Sequence, residues 1–464
     1  MLARKQAPKG WQYFTLHAIT HHSETSSVNT GCVPSKALLA AAEARHVALD
    51  AGRFPGLSSG VSSVGAPVDM PALAAGKRDL VESMRSEKYL DLIADCGWDL
   101  HQGHASFAGS GEDPSLDIVF PDRQPKRVRA AQYIVATGSS PWVPALAGLE
   151  QTGYLTSTTA MDLDEIPDTL VVIGGGFVAV EQAQLFARLG SKVIMLVRSH
   201  LASAEEPEAG QALAEVFADE GIRVVRGAVP EKVTRDDDGG VTVAATVAGV
   251  TSEFNGTHLL VATGRRPVTS GLNLTAVGVA VGANGEIPVD DALATTNPRI
   301  WAAGDVTGHR EFVYLAAAHG ALAVENAFTA ATRKIDYRHL PRVAFTSPAL
   351  AAVGMTDRQA NEAGIACECR VLPLEYVPRA LVNRDTRGFI KIVAEKESGR
   401  ILGITAVAKE AGDLAAAGVY ILEAGMSVGQ VANLWAPYLT MAEGLKIAAQ
   451  TYTTDISRLS CCAS

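Results

Sequence analysis

The sequence predicts an α/β fold: two Rossmann-like nucleotide-binding domains followed by a C-terminal α+β domain. Three observations carry that expectation. The chain holds 43 glycines, many of them beside short Val, Ile or Leu runs, as strand-to-helix turns require. A strand and small-residue turn, Tyr133-Ile134-Val135-Ala136-Thr137-Gly138, recurs 126 residues later as Leu259-Leu260-Val261-Ala262-Thr263-Gly264. Between the two copies, Leu170-Val171-Val172-Ile173 runs into Gly174-Gly175-Gly176 and then an apolar helical pattern, Phe177 to Leu189, closed by Gly190.

Length and charge limit the alternatives. At 464 residues, 47% apolar and 19% charged, the chain divides into about three domains. A net charge of −10 argues against nucleic acid or anionic membrane as a partner. Apolar runs are too short for a membrane span, and Trp11 to Thr20 is too polar for a secretory leader. Six cysteines make no disulfide scaffold in a chain of this size, which points to the cytoplasm.

Residues 1 to 26 show neither a period of 2 nor one of 3.6, and no element is expected there. The first chemical feature is Val28-Asn29-Thr30-Gly31-Cys32-Val33-Pro34-Ser35-Lys36. Pro34 favours a helix start, and a cysteine at a helix N-terminus is stabilised as thiolate by backbone N–H groups and the helix dipole. Cys32 is therefore a candidate redox or nucleophilic thiol. Residues 51 to 67 read as loop, Met70 to about Asp95 as helix-rich, and Gly103 to Phe107 as strand and turn.

The spacing Gly174-x-Gly176-x-x-Ala179 matches the dinucleotide fingerprint, placed after a strand and before a helix. Its glycines admit a pyrophosphate, and the helix N-terminus supplies donors. The next strand, Lys192 to Val197, ends at Arg198, which suits a ribose 2′-phosphate and favours NADPH over NADH. Ile300 to Ala303 is a strand leading to Gly304-Asp305, where open α/β sheets bind ligands, and a helix over Val313 to Phe328 faces that crevice. Beyond Pro341 the pattern changes to strands at Val343 to Phe345, Phe389 to Ala394 and Ile401 to Ala408, and to a helix ending near Thr451.

The tail ends Leu459-Ser460-Cys461-Cys462-Ala463-Ser464. Adjacent cysteines beside a terminus are placed to bind a soft metal or exchange with a disulfide. Cys96, Cys367 and Cys369 read as ordinary thiols.

Taken together these residues resemble the class I pyridine nucleotide–disulfide oxidoreductases. The carriers are Gly31 to Lys36, both Ala-Thr-Gly turns, Gly174 to Ala179 with Glu181, and Ala303-Gly304-Asp305. Pro437-Tyr438-Leu439-Thr440-Met441 and the Cys461-Cys462 tail are similar to the mercury-reducing branch of that family. Branches that reduce disulfides carry His-Pro where this chain has Tyr438-Leu439.

The resemblance implies FAD and NADPH as cofactors, a C-terminal dimerisation domain, and transfer of electrons from NADPH through FAD to Hg(II). It implies these segments: 1–155 as the first part of the FAD-binding domain, 156–270 as the NADPH-binding domain, 271–340 as the FAD return segment, and 341–464 as the dimerisation domain with its tail. By resemblance Cys32 is the flavin-proximal thiolate, and Lys36 lies by the flavin paired with Glu181. Tyr438 serves metal transfer, while Ala105, Thr137, Gly138, Asp305 and Val313 contact FAD and Phe177 covers the nicotinamide pocket. Cys461 and Cys462 of one subunit pass mercury to the redox site of the other subunit in a homodimer.

Two departures stand out. Ser27 occupies the first position of the family's Cys-x-x-x-x-Cys motif, and no Gly-x-Gly-x-x-Gly occurs in residues 1 to 26, so the resemblance is expected to begin near Val28. A shifted start, a reading-frame change or a natural degenerate copy would account for that edge, and one of the first two is the expected origin. Two other functions compete: a general flavin disulfide reductase, and a non-catalytic thiol protein that sequesters mercury.

Overall fold

The computed structural model describes residues 14–16, 26–57, 67–329 and 331–456. They form two units. The first comprises the N-terminal residues to Ser35 together with Ala75–Trp142 and Gly264–Asp336; the second comprises Lys36–Ala74, Val143–Thr263 and the chain from Tyr337.

In the first unit a parallel sheet places Tyr133–Val135 between Phe14–Leu16 and Ile300–Ala302, with Phe14 and Ile300 both in register with Tyr133. Phe14–Leu16 lies where the sequence shows no period, because three residues are too few for alternation to register. Tyr133, Val135, Ile300 and Ala302 share a core with Phe107, Leu116 and Val277. The buried Tyr133 hydroxyl donates to the Pro114 carbonyl at 2.6 Å and accepts from the Ala130 N–H at 2.9 Å, which satisfies it inside that core. Pro114 opens the middle strand of an antiparallel set, His104–Gly109, Pro114–Val119 and Lys126–Val128. The helix Val313–Phe328 lays Leu322 and Ala323 against Ile134 and Leu293.

The second unit contains a four-stranded parallel sheet in the order His258–Val261, Thr169–Ile173, Lys192–Val197, Arg223–Arg226. The helices Phe177–Leu189 and Pro207–Asp219 pack on it. Phe177–Leu189 buries Ala179, Val180, Ala183, Phe186 and Leu189, and each larger side chain contributes roughly 1.5–3 kcal/mol by leaving water. Helix, following strand and Gly190 stop fall at the residues expected.

Two further sheets complete this unit. One is an antiparallel meander, Ala228–Arg235, Val241–Val247 and Val250–Gly256, which is not among the elements expected from the sequence. The other is a five-stranded antiparallel sheet in the order Arg342–Ala344, Ala349–Gly354, Ile401–Ala408, Phe389–Glu395, Cys367–Pro373. Helices Ala411–Glu423 and Glu443–Gln450 join its core through Leu414, Ile421, Leu445 and Ile447.

One face of the helix Phe177–Leu189 ties these parts together. Glu181 Oε1 accepts the Phe345 N–H at 2.8 Å, and Gln184 exchanges two 2.8 Å bonds with the Ser347 backbone. Arg188, 6% exposed, donates to the Ser347 carbonyl and to Glu220, and pairs with Glu43. Spacings of three and four residues put these three side chains on one stripe.

Candidate functional site

The dinucleotide turn is shaped by what a side chain would strike. Gly174 has φ +138°, and a Cβ there would lie 2.2 Å from the Ala262 carbonyl oxygen. At Gly175 a Cβ would meet Val197 at 2.6 Å, whereas at Gly176 it would meet nothing within 4 Å. The first two glycines therefore serve packing, and the third leaves open space in front of the helix. Ala179 is fully buried, and its Cβ lies 3.3 Å from that same Gly174 position, so helix and strand approach too closely for a larger residue.

No side chain caps the 13-residue helix Phe177–Leu189, so its first-turn N–H groups face that opening as donors for an anion. Arg198 is exposed at the end of Lys192–Val197 and makes no ion pair among the described residues. A phosphorylated nicotinamide dinucleotide fits this donor set: open turn, uncapped helix, free guanidinium.

In the first unit, Asp305 follows the strand Ile300–Ala302 and accepts from Ser139 Oγ at 2.8 Å. Ser139 in turn accepts from Arg265 Nε at 2.8 Å and, through its carbonyl, from Arg265 Nη2 at 2.6 Å. The segments carrying them, Ser139–Pro141 and Arg265–Pro267, pair antiparallel directly after the two Ala-Thr-Gly turns. Thr137 Oγ1 donates to the Val268 carbonyl at 2.5 Å, and Gly138 has φ +67° with open space at its Cβ position.

Val313, exposed, starts a 16-residue helix that no side chain caps. Behind it His319 is fully buried and accepts the Gly304 N–H on Nδ1 at 3.2 Å. Burial, aided by the neighbouring His309, pushes its pKa down to about 4. Glu311 was not anticipated from the sequence: desolvation and the Asp305 charge push its carboxyl up to about 7 against the pull of Arg265.

A flavin dinucleotide fits these residues through the Asp305 carboxylate, the open Gly138 turn and the uncapped helix at Val313. Ala105 lies half-buried on the strand His104–Gly109. The stretch from Leu16 to Cys32 contains a single glycine, Gly31, so a glycine-rich pyrophosphate turn is missing from the sequence there.

Cys32 is exposed and is the first residue of the helix Cys32–Leu49. Ser35 Oγ donates to its carbonyl at 3.1 Å. Ser27 lies in the helical turn Ser26–Asn29. One turn beyond Cys32, Lys36 Nζ bonds Glu181 Oε2 at 2.7 Å and sits 4.6 Å from the centre of the Phe345 ring. Glu181 is 8% exposed, and both its oxygens are engaged, one by Lys36 and one by the Phe345 N–H. Phe177, at the start of its helix, is half-buried.

Tyr438 is 52% exposed in the loop before Glu443–Gln450. Leu439 takes φ +58°, held by its N–H bond to Glu443 Oε2 at 3.1 Å. Cys461 and Cys462 lie outside the described residues. Cys96 is exposed rather than buried, and Cys367 and Cys369 are half-buried. Among the described residues no helix is long and apolar enough to cross a membrane.

Two candidate dinucleotide sites, a thiol at a helix start and a C-terminal sheet domain fit a two-cofactor oxidoreductase. Comparison with known proteins agrees. The model of the pyridine nucleotide-disulphide oxidoreductase family matches residues 7–320, and that of the family's dimerisation domain matches residues 340–449. The match begins at residue 7, upstream of the edge expected near Val28.

The chain is 53% identical over 438 residues to a mercuric reductase of Streptomyces lividans, covering 94% of this chain and 90% of the relative. It is 43% identical to a mercuric reductase of Bacillus cereus over 94% of this chain and 67% of that protein. Among solved structures, the Cu(II) complex of the HOCl-induced flavoprotein disulfide reductase RclA from Escherichia coli has a TM-score of 0.82 at 26% identity, over 94% of this chain and 93% of that one. LpdA from Mycobacterium tuberculosis has a TM-score of 0.80 at 27% identity over 92% and 91%. The chain belongs to the pyridine nucleotide-disulphide oxidoreductase family, within its mercuric reductase branch, whose cofactors are FAD and NADPH.

Proposed function

We propose that this protein reduces Hg(II) to elemental mercury with electrons from NADPH. The relation to mercuric reductases supports this reading, and one local observation carries it: Cys32 opens a helix whose next turn is fixed by the Lys36–Glu181 pair. The helix N-terminus favours the Cys32 thiolate. A soft cation such as Hg(II) selects thiolate ligands. Glu181 holds the Lys36 ammonium in one place, where it offers a fixed positive charge beside the redox centre. FAD, when bound, accepts hydride from NADPH and supplies two electrons. Thr137, Gly138, Asp305, Ala105 and Val313 would hold it, and Gly176 and Arg198 would hold NADPH at a turn that Gly174 and Ala179 shape by close packing, with Phe177 over the nicotinamide.

Cys461 and Cys462 capture mercury and deliver it to Cys32 of the other subunit in a homodimer, with Tyr438 at the transfer point. Ser27 cannot complete a disulfide with Cys32, so the inner site offers one thiolate and a hydroxyl. Exposed Tyr438 and the absence of His-Pro there weigh against the disulfide-reducing alternative. The test is NADPH oxidation by the purified, flavin-loaded protein with and without Hg(II) in excess small thiol. Oxidation that depends on mercury supports the reading, and mercury-independent oxidation overturns it.

A further inference from the structure

The edge strand Cys367–Pro373 carries a second pair of thiols that the reductase reading does not use. Cys367 and Cys369 stand two residues apart on a strand, so their side chains share one face. The register agrees: Cys367 lies opposite Glu395 and Cys369 opposite Val393 on the neighbouring strand. Cys367 Sγ lies 3.7 Å from Asn361 Oδ1 and 3.9 Å from the Asp357 carbonyl, so the short helix Asp357–Glu362 closes one side of the pair. Both cysteines are half-buried, which leaves them accessible to a small ligand.

Geometry decides between bonding to each other and sharing an ion. Same-face Cα atoms on a strand stand about 6.6 Å apart at roughly 3.3 Å per residue. That is close to the upper limit of about 6.8 Å across disulfides, whose usual separation is about 5.5–6 Å. An ion between the sulfurs lengthens the bridge and matches the extended backbone.

One buried cation stands on the same sheet face. Lys391, 1% exposed, lies on that face opposite Val371. Its ammonium is itself fixed by Glu206 at 3.0 Å, Glu208 at 2.8 Å and Asp357 at 3.0 Å.

We propose that Cys367 and Cys369 form a two-coordinate site for a soft thiophilic cation, Hg(II) above all, distinct from Cys32 and from the Cys461-Cys462 tail. Loading is ligand exchange: two protein sulfur–mercury bonds form and two bonds from mercury to small thiols break. Both cysteine protons pass to the departing thiolates, and no electron moves. The site holds mercury without reducing it, so it stands whether or not the chain turns over.

The test uses the full chain with Cys32→Ala, Cys96→Ala, Cys461→Ala and Cys462→Ala, which leaves only this pair. After incubation with Hg(II) in excess cysteine and desalting, about one mercury per chain is expected, with a sulfur-to-mercury charge-transfer band in the ultraviolet. Adding Cys367→Ser and Cys369→Ser should remove both. Mercury near zero before the serine substitutions, or unchanged after them, overturns the proposal. In the unsubstituted protein, Hg(II) sufficient to fill every thiol site should shield Cys367 and Cys369 from alkylation together. Modification of either at its mercury-free rate also overturns it.

Discussion

Lys36 and Glu181, 145 residues apart in the chain, meet in a 2.7 Å ion pair directly after the helix start that carries Cys32. Glu181 reaches it from the helix that begins at the dinucleotide turn, so one carboxylate links the nucleotide helix to the thiol helix. The side chain is one-tenth exposed, which makes the pair more than a surface contact. Replacing Glu181 with Gln should keep the Phe345 hydrogen bond but leave Lys36 without its counter-charge. A loss of about 1–3 kcal/mol in unfolding free energy is expected, read by denaturant titration of the holoprotein.

Gly174 and Gly176 should respond differently to the same change. Alanine at Gly174 would place its Cβ against the Ala262 carbonyl in a left-handed backbone, and a loss of about 1–3 kcal/mol is expected. Alanine at Gly176 meets open space and should leave the melting temperature unchanged. It fills the space proposed for the NADPH pyrophosphate, so the KM for NADPH should rise roughly tenfold, which corresponds to about 1.4 kcal/mol. Equal effects of the two variants on stability would count against the roles given to these glycines.

In the proposed function, Arg198 is the charge that distinguishes the two nicotinamide cofactors. Arg198→Glu should weaken NADPH and strengthen NADH, shifting the ratio of their kcat/KM values at least tenfold, about 1.4 kcal/mol. An unchanged ratio would place 2′-phosphate recognition elsewhere.

His319 supplies a pH signature. Its folded pKa of about 4 lies below the ordinary histidine value, so between about pH 6.5 and 4 the unfolded chain binds the extra proton. Stability should therefore be full above about pH 6.5 and fall as the pH drops towards 4, by at most about 1.4 kcal/mol per pH unit from this group. His319→Asn keeps an acceptor for the Gly304 N–H and removes the titration. The variant should show a flatter stability profile over that range in denaturant titrations at stepped pH.

What the sequence shows and what it hides follow from the range of the interactions. The helix Phe177–Leu189 is legible residue for residue because Gly176 and Gly190 bracket it and its apolar period is local. Cys367–Pro373 escaped notice because its half-buried edge strand mixes Cys, Glu and Arg without clean alternation. The Arg188 cluster joins Glu43, Glu220 and Ser347, partners 145, 32 and 159 residues away, and no local pattern announces such a meeting. Glu311 likewise acquires its raised pKa only through burial near Asp305. Cys32 and Lys36 were legible as a motif, whereas the Phe345 ring beside Lys36 was not.

Mercury reduction is read from simultaneous measurement of the NADPH oxidised and the mercury vapour released. The flavin-loaded protein, given Hg(II) in excess small thiol, should release one mercury atom for each NADPH consumed, since each carries two electrons. Cys461→Ala with Cys462→Ala should lower that rate while sparing NADPH oxidation by an artificial electron acceptor. NADPH consumption without mercury release, from protein whose flavin is bound, would rule out mercury reduction as the function.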